Sequence, residues 1–178
     1  MDWTLILSIG IPVLVLLIVI RFVYRTYNEL TYFGLKVDKQ ASNIDVHLKK
    51  RYDLIPQLIE TVKGYSKHET SVFTEVANLR SQWTSTKNVN EKIKTSNQLD
   101  NALSKLLMIQ ERYPHLKADR NFRSLQHSMS SIEREIAHER KYYNEKVREY
   151  NVRVKLFPRN IIAKLFGFKE REFFSMED

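Results

Sequence analysis

The chain has 178 residues, is 43% hydrophobic and contains no cysteine, which leaves room for one anchored domain and excludes disulfides, thiolate catalysis and cysteine-built zinc or iron–sulfur sites. Four glycines and four prolines are too few for a turn-rich sheet protein, so long helices with short links are expected. The formal charge is +8, and because Asp2 is the only charged side chain before Arg21 the part from Arg21 onward carries +9; beside an apolar segment such an excess suits anionic lipid, and nucleic acid is not the expected partner.

Residues 3–20 carry no charge, and 11–20 are nearly all leucine, isoleucine and valine. At 1.5 Å per residue they reach about 27 Å, enough to cross a hydrocarbon core when Phe22, Val23 and a snorkelling Arg21 extend them. Gly10 and Pro12 interrupt the run, yet proline is tolerated in lipid. A cleaved signal peptide would start with basic residues and end in a small-residue site; this segment starts Met1-Asp2 and ends in Arg21 to Arg25. A retained, single-pass transmembrane helix is predicted. Arg21, Arg25, Lys36 and Lys39 follow it, which places the amino terminus outside and the bulk of the chain in the cytoplasm, at the cell membrane.

Leu30, Phe33, Val37, Ala41, Ile44 and Leu48 form one stripe of a helix over 27–50, continuous with the anchor unless Gly34 bends it. After Arg51-Tyr52-Asp53 an apolar series restarts at Ile55, Leu58, Ile59, Val62 and Tyr65 and continues to Trp83. Pro56 would sit in the first turn of a second helix capped by Asp53, with Gly64 either inside it or breaking it. Polar residues 81–90 read as a loop. A third helix over 89–112 carries Ile93, Leu99, Leu103, Leu106, Leu107 and Ile109 and ends at Tyr113-Pro114. The fourth shows Phe122, Leu125, Met129, Ile132, Ile136, Tyr143, Val147, Tyr150 and Val154, with a gap in the apolar stripe at Glu139-Arg140.

The expected architecture is all-α: a single amino-terminal transmembrane helix (1–24), an antiparallel up-and-down four-helix bundle (25–156) and a basic, aromatic tail (157–178). In such a bundle the fourth helix returns towards the membrane. Lys155, Phe157, Arg159, Lys164, Phe166 and Phe168 would then lie near the bilayer, on the headgroups, or else Ile161, Ile162, Leu165 and Phe166 would cover the open end of the bundle.

Several ordered runs resemble the LemA family: Tyr27-Asn28-Glu29-Leu30, the unbroken stretch 44–58, Glu60 to Tyr65, His68-Glu69, Tyr113-Pro114-His115-Leu116-Lys117-Ala118, Asn121-Phe122, Tyr143-Asn144, Tyr150-Asn151, Phe157-Pro158, Ile161-Ile162-Ala163 and Phe166-Gly167-Phe168. The resemblance implies a short external amino terminus, one span and a cytoplasmic helical bundle, with no established reaction or cofactor. Gln57 stands where the family usually has asparagine, and Tyr52 where histidine is common.

No glycine-rich phosphate loop, zinc-helix motif, calcium loop or nucleophile elbow is present. His68-Glu69 and His138-Glu139 set their side chains about 100° apart on a helix, which chelates poorly. No enzymatic activity, metal or cofactor is expected. The densest charged cluster, Asp45, Lys49, Arg51 and Asp53 with Pro56, reads as a corner-fixing device in which Asp45 pairs with Lys49, or as a site for a protein partner. The leading function is a membrane-tethered interaction or scaffold protein. The alternative is a bundle-based enzyme or the accessory subunit of a membrane enzyme. A homo-oligomer is open through close helix approach around Ser8, Gly10 and Pro12, although no Gly-x-x-x-Gly is present.

Overall fold

A computed structural model describes residues 3–66, 69–86 and 89–174, and among them every regular element is helical. Lys67, His68, Lys87 and Asn88 lie outside that set, as do the side chains of Ile93 and of residues before Ile9, so His68, Ile93 and Ser8 are not placed.

Helix α1, Trp3–Lys63, runs unbroken for 61 residues. The expected break at 51–53 is therefore corrected. Asp53 is an exposed mid-helix residue and not a cap, and Pro56 is interior to the helix and not in a first turn. The reason lies in the phase of the apolar stripe, because Ile44, Leu48, Arg51, Ile55, Leu58 and Val62 recur at alternating steps of four and three and are all buried. A helix that keeps one face covered has no reason to restart.

Proline still removes an amide donor, and an interior proline disfavours a helix by about 3 kcal/mol. The acceptor it leaves free is the carbonyl of Tyr52, and Arg80 Nε from the next helix donates to that oxygen at 3.1 Å. Exchanging Arg80 for Leu is expected to lower stability by about 1–2 kcal/mol, measured by denaturant unfolding. The loss should shrink in a Pro56→Ala background, where the helix satisfies that carbonyl itself; equal losses in both backgrounds would separate Arg80 from the proline.

Beyond α1, the turn at Gly64 realises the break that the lone glycine allowed. Helix α2 spans Thr70–Ser85 and α3 spans Val89–Met108, the latter closed by a 3-10 turn at Ile109–Glu111. The polar loop is thus shorter than residues 81–90, since α2 extends to Ser85 and α3 begins at Val89. Pro114 opens a short helix α4, Pro114–Ala118, which the apolar pattern did not reveal. Helix α5, Arg120–Lys155, begins where Asp119 Oδ1 accepts from the Phe122 amide at 2.8 Å, and α6 is Arg159–Leu165. The described residues therefore hold six α-helices where four were expected.

The chain divides into two compact units, Met1–Lys39 with Glu145–Arg171 and Gln40–Asn144 with Glu172–Asp178. In the first, Leu30 and Val37 of α1, Val147, Tyr150 and Val154 of α5, and Ile162 and Ala163 of α6 are buried. Asn151 of α5 holds the chain after α6 through two hydrogen bonds to the Arg171 backbone, at 2.8 and 2.9 Å. In the second, the buried set comprises residues 44–62 of α1 at the stripe positions, Phe73, Val76 and Trp83 of α2, Leu99, Leu103 and Leu106 of α3, and Phe122, Met129 and Ile136 of α5.

Candidate functional site

The charged cluster singled out in the sequence opens onto a buried polar network within the second unit. Arg51 sits on the buried stripe of α1 and is 1% exposed. Its Nη2 donates to Asp100 Oδ1 of α3. Arg140 of α5 approaches the other carboxylate oxygen of Asp100 at 3.6 Å, and its Nη2 donates to Ser96 Oγ at 2.9 Å. Two guanidiniums thus share one carboxylate, so the network keeps one uncompensated positive charge. Burial pushes the Arg140 guanidinium below the ordinary arginine value; Asp100 opposes that shift and Arg51 adds to it.

Tyr52 lies beside this network and is buried. Its ring stacks on Trp83 of α2, with centroids 4.2 Å apart and planes at 25°. Burial pushes the phenol well above its ordinary value, with the positive charge of Arg51 acting against the shift. Lys92 of α3 lies 5.1 Å from the centroid of the Trp83 ring and forms a 2.7 Å ion pair with Asp45.

The predicted residues therefore part company. Arg51 enters the core. Asp45 takes its partner from α3, and not from Lys49 four residues on. Lys49 and Asp53 face outward, and no chain corner exists there to be fixed. Pro56, also exposed, lines a cleft of about 350 Å³ with Ile55, Ile59, Ala77 and Arg80. Sequence reasoning missed Asp100, Ser96 and Arg140 as partners of Arg51. One signal was present, because the gap in the α5 stripe at Glu139-Arg140 marks where a guanidinium replaces an apolar side chain. Nothing local flags Asp100, which lies 49 residues from Arg51. Among the described residues no three His, Asp or Glu side chains come together as a metal site.

The candidate tail residues from Lys155 to Phe168 belong to the first unit, where they meet α1 just beyond its apolar stretch. Phe166 and Phe168 both pack edge-on against Tyr27, with centroids 5.1 and 5.5 Å away. Arg159 pairs with Glu29 at 3.1 Å, and Lys155 with Glu170 at 2.9 Å. Of the four residues expected to cover the end of a bundle only Ile162 is buried; Ile161, Leu165 and Phe166 are exposed, as is Phe157 at 78%. The covering reading is corrected for those three. Helix α6 is apolar on two sides: Ile162 and Ala163 are buried, while Ile161 and Leu165 are exposed.

The model of the LemA family matches residues 40–178, a stretch that takes in α2 to α6 and the buried network. The chain belongs to the LemA family. Relatives include Magnetosome protein MamQ 1 and Magnetosome protein MamQ 2 of Paramagnetospirillum magneticum, each 24% identical over 192 aligned positions that cover 92% of this chain and 70% of the relative. Magnetosome protein MamQ of Magnetospirillum gryphiswaldense is 23% identical over 194 positions, covering 94% and 71%. The LemA match begins at Gln40, beyond the apolar stretch, so the family model bears on the chain from Gln40 onward and leaves the first 39 residues to be read on their own physics.

Proposed function

We propose that this LemA-family chain is a membrane-tethered interaction protein, anchored once through residues 3–20, with its amino terminus outside and its helical part in the cytoplasm. The observation that carries the reading is exposure. Every residue from Ile11 to Ile20 is exposed, including Leu14 and Leu17 at 59 and 58%, although the segment is helical and uncharged. Patches of exposed apolar surface beyond a few hundred square ångströms are rare on soluble monomers, and a helix apolar around its whole circumference is at home in hydrocarbon. Of the described residues, one helix is long and apolar enough to span.

The helical segments of α1, α2, α3 and α5 within 40–144 serve as a four-helix bundle that presents surfaces to a cytoplasmic protein partner. Interaction fits better than catalysis because the charged groups of this cluster are engaged with one another: Asp100 holds Arg51 and Arg140, and Lys92 holds Asp45. A general acid or base needs a pocket that a substrate can enter, and Arg51 is sealed from solvent.

Carbonate extraction and proximity labelling from a carboxy-terminal tag test this together. The intact chain is expected in the washed membrane pellet, with biotin on cytoplasmic proteins and one recurrent partner among them. Deleting residues 1–24 is expected to move the chain to the soluble fraction. Recovery of the full chain in the supernatant overturns the anchor, and labelling confined to extracytoplasmic proteins reverses the orientation.

A further inference from the structure

Two cavities in the first unit are linked by Tyr27, which lines one and packs on Phe168 of the other. One is a cleft of about 460 Å³ lined by Val19, Ile20, Val23, Tyr24, Tyr27 and Phe166, within the usual size of a small-molecule site, roughly 300–1,000 Å³. Apart from two phenol groups its lining is hydrocarbon. The second, about 380 Å³, is bordered by Phe168, by three lysines, Lys155, Lys164 and Lys169, and by the one carboxylate Glu170. Tyr27 contacts both Phe166 and Phe168, so an apolar trough along α1 adjoins a basic pocket beside α6.

The cations here are not equivalent. Lys155 pairs with Glu170, and the nearby Arg159 shares Glu29 with Arg153. Among the described residues Lys164 and Lys169 have no carboxylate partner, and both are exposed. We propose that the paired cavities bind one anionic glycerophospholipid of the surrounding leaflet, with an acyl chain in the Val19–Phe166 cleft and the phosphate held by Lys164 and Lys169. The assignment rests on reading residues 3–20 as the span. Given that reading, the height is right, because Val19 to Tyr27 is where the helix leaves hydrocarbon, and tyrosines with lysines are the side chains that suit this boundary. It also accounts for the outer side of α6, since Ile161 and Leu165 would enter the same leaflet.

The test uses the full-length chain purified in mild detergent and in nanodiscs of either phosphatidylglycerol or phosphatidylcholine. Native mass spectrometry is expected to show one retained phosphatidylglycerol per chain and no retained phosphatidylcholine. The double variant K164Q/K169Q is expected to lose phosphatidylglycerol affinity by roughly thirty-fold, at about fivefold per cation near the surface, with an unchanged melting curve in detergent. A photoactivatable acyl chain should label peptides containing Val23 or Phe166. Equal retention of both lipids, unchanged affinity in the double variant, or displacement of the lipid by inorganic phosphate alone would each overturn the site. Carbonate extraction separates the two failures: a chain that integrates but retains no lipid sinks the site alone, and a chain that does not integrate sinks the anchor and the site with it.

Discussion

Exchanging Asp100 for Ala is expected to destabilise the full chain by about 3–4 kcal/mol, a fall in Tm of roughly 10 °C, followed by thermal and urea unfolding in detergent. The size follows from what is stranded. Arg51 is 1% exposed and has its only described carboxylate partner in Asp100, which also faces Arg140. Without Asp100 two guanidiniums confront each other in a dry interior with no counter-charge. Breaking a buried pair from one side costs about 3–5 kcal/mol, and the 29% exposure of the Asp100 side chain puts this case at the lower end. Arg140→Met should do far less, about 1 kcal/mol, because it leaves a neutral Arg51–Asp100 pair and relieves the excess positive charge. The double variant Asp100→Ala with Arg140→Met should then be more stable than the two single losses added together. Simple additivity would mean that the two arginines do not share Asp100.

This network also shows where sequence reasoning succeeded and where it could not. The apolar stripes of α1 and α5 were legible because burial demands one covered face at a period near 3.6, and Leu30, Val37, Ile44, Leu48, Met129, Ile136, Val147 and Tyr150 are buried as that period requires. The same stripe contained the answer to the misplaced break, since Arg51 falls in phase between Leu48 and Ile55. Its charge made it look like an interruption, and Pro56 then looked like a beginning. Both impressions rest on local preference, and both are overridden by groups distant in sequence: Asp100 for the charge and Arg80 for the carbonyl that Pro56 leaves free. The short helix α4 and the Asp119 cap were invisible for a different reason, being too brief to show a period. In the tail, composition identified the apolar and basic residues, but which of them turn inward depends on Tyr27 and Glu29, more than a hundred residues earlier.

Tyr52→Ala is expected to cost about 3–5 kcal/mol, as loss of a large aromatic side chain from a core usually does, and Tyr52→Phe well under 1 kcal/mol at neutral pH. The ring fills the space against Trp83 and lies wholly inside, whereas the hydroxyl adds little while it stays protonated. The hydroxyl matters only under alkaline conditions. Because burial raises the phenol in the folded chain, the unfolded chain ionises first, near the ordinary tyrosine value of about 10. Between that value and the higher folded one the folded state holds a proton that the unfolded state has released. Stability contributed by this group is therefore complete below about pH 10 and declines above it, by up to about 1.4 kcal/mol per pH unit. Lysines and other tyrosines titrate in the same range, so the informative quantity is the difference between wild type and Tyr52→Phe. That difference should be flat from neutrality to about pH 9.5 and then shift in favour of the phenylalanine variant. A difference that stays constant to pH 11 would mean that the Tyr52 hydroxyl ionises as readily in the folded protein as in water, and the stacked, sealed position beside Arg51 would be wrong.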